Sequence, residues 1–131
     1  MCLIVASSIP KIADKDIVCY KIVRRTKIKG IYKSSFQEFE YIIRQLYTNN
    51  IKIEFSYKFI KDRVLFGYFI EEGMFHSYVS PLYPLEVITI PNWTMLKCII
   101  PKGAYYYEGH SNYFPSYVSS QIKILEEICF Q

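Results

Sequence analysis

His76 and His110 are the two side chains whose unperturbed chemistry would move protons near neutral pH. His76 is followed by Ser77, which raises the thought of a serine–histidine hydrolase. Adjacent residues on a strand project to opposite faces, however, so this pair cannot form a dyad there. His110 sits in a polar stretch and reads as solvated. Glu71-Glu72 and Glu126-Glu127 are carboxylate neighbours that diverge in direction, the pattern of solvated turns rather than of an acid–base pair. Neither a glycine-rich phosphate loop nor metal-ligand spacing occurs. The cysteines Cys2, Cys19, Cys98 and Cys129 are scattered, with no C-x-x-C pair and no histidine close in sequence, which argues against zinc. Cys19 and Cys98 lie in apolar runs, where a free thiol acts as a small hydrophobe. The residues therefore predict no catalytic group and no cofactor, and unpaired thiols predict a reducing, cytoplasmic setting.

Charge gives a stronger signal. Lys21, Arg24, Arg25, Lys27, Lys29 and Lys33 place 6 of the 16 basic residues within 13 positions, with no acid among them. The other ten face 12 acidic residues, so the rest of the chain is close to neutral. Such a cluster attracts phosphates, a nucleic-acid backbone or an acidic protein surface. No aromatic platform is interleaved with it before Tyr32, so nucleic acid is not the favoured partner. A solvated hairpin whose lysines protect an edge is the bland alternative. The second signal is aromatic: 18% of residues, with 13 Tyr and 9 Phe, concentrated in Tyr105-Tyr106-Tyr107. Tyrosine suits β-structure and binding surfaces because it joins a rigid apolar body to a polar tip.

The elements that must position these groups follow from periodicity. At 131 residues, half of them hydrophobic, the chain predicts a single domain with its own core. Residues 1–15 read as an N-terminal arm, too short in its apolar part for a signal peptide. Residues 16–23 form an apolar interior strand interrupted by Tyr20 and Lys21. Phe36, Phe39, Ile42, Ile43, Leu46 and Tyr47 recur at spacing three and four, which predicts an amphipathic helix over 36–47, with Ser35 and Glu38 as a capping box. Residues 51–57 alternate as a half-exposed strand, and 64–70 and 74–79 form two further apolar runs. Three prolines make 80–93 a long connection. Met95 to Ile100 is a buried strand that Pro101 must end; Pro101-Lys102-Gly103 turns the chain into the tyrosine run. A polar loop over 110–116 precedes a strand over 117–125, and Ile122, Leu125 and Ile128 fit a terminal helix equally well. No apolar run is long enough for a membrane-spanning helix.

The order of these segments carries a resemblance. Val18-Cys19-Tyr20-Lys21, Gly73-Met74-Phe75-His76-Ser77-Tyr78, Lys97-Cys98-Ile99-Ile100-Pro101-Lys102-Gly103 with its tyrosines, and Tyr117-Val118-Ser119-Ser120-Gln121 resemble small uncharacterised proteins of Bacteroides-type gut bacteria and their phages. The resemblance runs from Ile12 onward and implies a phage or mobile-element accessory protein in a bacterial cytoplasm. The same order is more distantly similar to the ADP-ribosyltransferase fold. That similarity implies Tyr20-Lys21 on its first strand, Ser77 on its second and Gln121 near its catalytic position, with NAD as the cofactor. Lys21 stands where that family often has arginine, and Gln121 where it needs a carboxylate. A glutamine cannot carry the charge that stabilises an oxocarbenium-like centre.

The resulting expectation is an α+β domain: mostly antiparallel twisted sheet with one main amphipathic helix, which the more distant resemblance implies is of ADP-ribosyltransferase type. Its function is non-catalytic binding of a nucleotide-like or phosphate ligand, or of an acidic host partner, with an anti-defence role in view. The ligand-binding set is Tyr20, Lys21, Arg24, Arg25, His76, Ser77, Tyr105, Tyr107 and Gln121, converging on one groove. Two alternatives stand beside it. One is an NAD-using transferase; the other is an oligomeric structural phage protein whose tyrosines form a subunit interface.

Overall fold

A computed structural model describes residues 3–5, 10–34, 39–48, 53–60, 63–70, 75–82, 91–111 and 114–128. The strands, in chain order, are β1 (Leu3–Val5), β2 (Lys11–Ile12), β3 (Ile17–Arg25), β4 (Ile31–Ser34), β5 (Glu40–Ile42), β6 (Leu46–Thr48) and β7 (Ile53–Ile60). They continue as β8 (Arg63–Ile70), β9 (Phe75–Tyr78), β10 (Trp93–Ile100), β11 (Tyr105–Ser111), β12 (Phe114–Ser119) and β13 (Gln121–Ile128). Every pairing is antiparallel, and the main path runs β6-β13-β10-β3-β9-β12-β11-β1-β8-β7.

The architecture is all-β, with no helix among the described residues, and this corrects the α+β expectation. The 36–47 helix is the source of the error. Its described part, 39–47, is β5, a turn and the start of β6. Apolar side chains at 39, 41, 42, 43, 46 and 47 satisfy a period of 3.6 and also a period of two. The competition is settled by partners: β5 pairs with β4 and β6 pairs with β13. Arg44 at φ 70 bends the chain between them, and Arg44 N donates to Ile124 O at 2.8 Å while Ile124 N donates to Gln45 O at 3.1 Å. Ser35 and Glu38, the predicted cap, lie outside the described residues. Two smaller corrections concern pairing. The expected arm contains β1 and β2, both paired to β11. The expected loop over 110–116 is, in its described part, the end of β11 and the start of β12. The 117–128 ambiguity resolves as strand, divided between β12 and β13 at Ser120.

This bend closes a ring of strands. β3 pairs with β4, β4 with β5, the chain crosses to β6, β6 pairs with β13, β13 with β10, and β10 returns to β3. β5 and β6 are joined by the chain itself rather than by pairing, with the 43–45 turn hydrogen-bonded to both Gly30 and Ile124. The ring is filled from its inner face by Cys19, Val23, Leu96, Cys98, Ile122 and Ile124, joined by Tyr32 and Tyr41. Each aliphatic side chain of this size contributes about 1.5–3 kcal/mol on full burial. Phe39, Tyr41, Tyr47 and Phe75 cap the core in mutual tilted and edge-on contact, with centroids 5.0–6.4 Å apart. Beyond the ring, β9, β12 and β11 extend the sheet from the edge of β3 that also pairs with β4.

The expected turn at 101–103 is present. β10 ends at Ile100, Gly103 takes φ 90, and Gly103 N donates to Ala13 O at 2.8 Å. Lys102 N is held by Asp16 Oδ1 at 2.9 Å, tying this turn to the entry of β3.

Candidate functional site

Alternation along the strands separates the nine expected binding residues. Lys21, Ser77 and Arg25 share the inner face with Leu96 and Tyr117, as the β3–β10 and β9–β12 registers require. Tyr20, Arg24, His76, Tyr105, Tyr107 and Gln121 fall on the opposite face. Lys21 is buried and donates from Nζ to His76 O, with Tyr41 beneath it at 5.1 Å from the ring centre. Ser77 is fully buried. Tyr107 is buried, whereas Tyr105 is half-exposed. Gln121 opens β13 opposite Thr48 and directly follows Ser120, whose N donates to Tyr105 O at 2.9 Å, so it lies close to Tyr105. Lys21 and Ser77, buried on the inner face, are therefore kept apart from Gln121 and Tyr105, which the β12–β13 corner brings close together.

His76 packs edge-on against Tyr78 at 5.0 Å. Burial holds its imidazole down to about 3, and the Lys21 charge adds to the effect. The ring is neutral at physiological pH, and its Nε2 is buried without a hydrogen-bond partner. Burial pushes the Cys19 thiol up to about 11, opposed by Ser77 and Lys21. It raises the Cys98 thiol further still. These two cysteines face one another across β3 and β10, as protonated core residues. Neither thiol is poised as a nucleophile, since attack requires the thiolate. Among the described residues, no group of three or more His, Cys, Asp or Glu side chains is arranged to hold a metal ion. No helix of the described structure is long and apolar enough to cross a membrane.

The basic cluster is also divided by the fold. Arg24 Nε donates to Ser34 O at 3.1 Å, and Arg25 Nε pairs with Glu127 Oε1 at 3.0 Å while reaching Thr94 Oγ1 at 3.4 Å. Lys33 stands opposite Glu40 in the β4–β5 register. Lys27 and Lys29 remain, exposed in the turn between β3 and β4. Thr26 Oγ1 donates within this turn and Gly30 at φ 86 completes it.

A third cation joins them from a different part of the chain. Ile43 N donates to Gly30 O at 3.2 Å, so the 43–45 turn sits against the 26–30 turn, with exposed Arg44 and Lys29 the residues next to that bond in each turn. From Arg44 the exposed positions Ile42, Arg44 and Leu46 follow one another along the outside of the ring, and exposed Lys123 lies opposite Leu46. Ile28, at 63% exposure, adds an apolar residue between the two lysines. The result is a rim of four cations and three exposed aliphatic residues. Among the described residues, none of Lys27, Lys29, Arg44 and Lys123 has a carboxylate partner. Sequence reading found Lys27 and Lys29 but missed Arg44 and Lys123, because only the ring closure brings them to the same end.

Comparison of the chain with family models, curated proteins and solved structures finds no match.

Proposed function

We propose that this protein is a non-catalytic binding module that captures an acidic, partly apolar protein surface at the Lys27–Lys29–Arg44 rim. The observation that carries this reading is the joining of two turns by the Ile43–Gly30 hydrogen bond, which concentrates unpaired cations beside exposed Ile28, Ile42 and Leu46. Unpaired surface cations steer an acidic partner and set its orientation. The aliphatic residues supply area from which water is expelled on contact. A protein surface offers carboxylates and apolar side chains together, whereas a nucleotide would leave the aliphatic residues unused. A phage or mobile-element accessory protein that modulates a host factor is the biological setting that suits such a module.

The test is fluorescence anisotropy with a labelled peptide alternating glutamate and leucine, alongside thermal-shift screening against nucleotides, NAD and inorganic phosphate. The expected result is peptide binding that weakens as salt rises and is abolished in a Lys27→Glu, Lys29→Glu, Arg44→Glu variant. Nucleotides and NAD are expected to leave the melting temperature unchanged. Peptide affinity that is indifferent to those substitutions, or a melting temperature raised by a nucleotide, would overturn the proposal.

A further inference from the structure

Among the described residues, Lys21 is the one buried lysine, at 8% exposure. An ammonium carries three N–H donors and a full charge. In this structure Nζ donates to His76 O and lies over the Tyr41 ring. A carbonyl and a ring face attract a cation, yet neither neutralises it. Burying a charge is costly unless an opposite charge accompanies it. Neither nearby thiol supplies that charge, since burial keeps both Cys19 and Cys98 protonated.

A second feature on the same inner face is independent of the first. Ser77 Oγ and Ser119 Oγ are buried, with both residues at 0% exposure, and neither has a hydrogen-bond partner. Ser77 stands opposite Tyr117 and Ser119 opposite Phe75 on the paired strands β9 and β12, so the two serines are diagonal neighbours across that ladder. Ser77 follows directly on the carbonyl that holds Lys21, and lies beside the Cys19 thiol. Buried hydroxyls left unpaired are rare in folded proteins and mark a place where something accepts their hydrogen bonds. One cation and two buried hydroxyls, of which Ser77 has only the protonated Cys19 thiol, a weak acceptor, within reach, lie on one face and match the chemistry of a single negative charge. A doubly charged phosphate would exceed what one ammonium offsets, and burial to this degree admits only a small, dehydrated ion.

We propose that Lys21, Ser77 and Ser119 form an internal binding site for a small monovalent anion, of halide or formate size. The site is separate from the Lys27–Lys29–Arg44 rim, and its test does not depend on any partner binding there. Thermal unfolding is followed at constant ionic strength while gluconate, too large for the interior, is replaced by chloride, bromide or formate. The midpoint is expected to rise saturably, by about 4–8 °C at ten times the anion's Kd. The rise should vanish in Lys21→Met, which keeps the apolar stem, and weaken in Ser77→Ala. A midpoint that follows ionic strength alone, or an anion-specific rise that persists in Lys21→Met, overturns the site. Should Lys21→Met fail to fold, crystals of the native protein grown in bromide decide the matter. Anomalous bromide density within hydrogen-bond distance of Lys21 Nζ supports the site, and bromide confined to surface lysines refutes it.

Discussion

His76 shows how far burial can move a residue from the behaviour its type suggests. Its folded value of about 3 lies well below the roughly 6.5 of an unfolded histidine. Between those values the unfolded chain binds a proton that the folded chain refuses, so stability falls as pH drops from about 6.5 towards 3. The slope for this one group approaches about 1.4 kcal/mol per pH unit, and above pH 6.5 it contributes nothing. Denaturant unfolding at pH 4, 5, 6 and 7 is expected to show a shallower loss in His76→Phe than in the native protein. Equal slopes in the two would place the imidazole in solvent. The cysteines make a parallel case. With their thiols raised by burial, Cys19 and Cys98 should resist alkylation at pH 8 in the native state and react once denaturant is added. Mass spectrometry of the labelled peptides distinguishes them from Cys2 and Cys129. At this scale the sequence was informative about type and silent about environment. Cys19 and Cys98 were readable as buried thiols from their apolar neighbours, whereas Lys21, in the same apolar run as Cys19, was read as part of an exposed cationic cluster because its type favours solvent.

At the scale of elements, turns with positive φ decide the connections. Gly103 at φ 90 has open space where a Cβ would be added, so any penalty there comes from the backbone alone. Gly103→Ala is expected to cost about 1–2 kcal/mol in denaturant unfolding. Arg44 adopts φ 70 without being glycine, and this residue both turns the chain and supplies a rim cation. Arg44→Gly is therefore expected to hold stability within about 1 kcal/mol while weakening the acidic peptide. An equal loss of both would show that Arg44 acts through folding only. The strands β3 and β10, and the break after Ile100, were legible because β-branched runs and proline act locally. The 36–47 segment was not legible. Its apolar residues fit a helix and a bent strand alike, and the choice was made by β4 and β13, which lie before and after it in the chain.

For the whole molecule, the closed ring makes distant segments depend on one another. Ile122 of β13 stands opposite Tyr47 of β6 and is fully buried among residues from across the ring. Ile122→Ala is expected to cost about 2–5 kcal/mol in denaturant unfolding, with a single cooperative transition retained. A loss below about 1 kcal/mol would mean that the ring can collapse around the cavity. Taken alone, the sequence determined that the chain folds around apolar strands, where several of them run, that its cations cluster between Lys21 and Lys33, and that Cys19 and Cys98 are core-forming. These properties depend on neighbours within a few residues. The tertiary structure alone decided that 39–48 is two strands and a turn, that Lys21 is sealed inside while Lys27 and Lys29 face out, and that Arg44 completes their rim. Each of those outcomes depends on hydrogen bonds between residues far apart in the chain, and a linear pattern carries no record of which edges will meet.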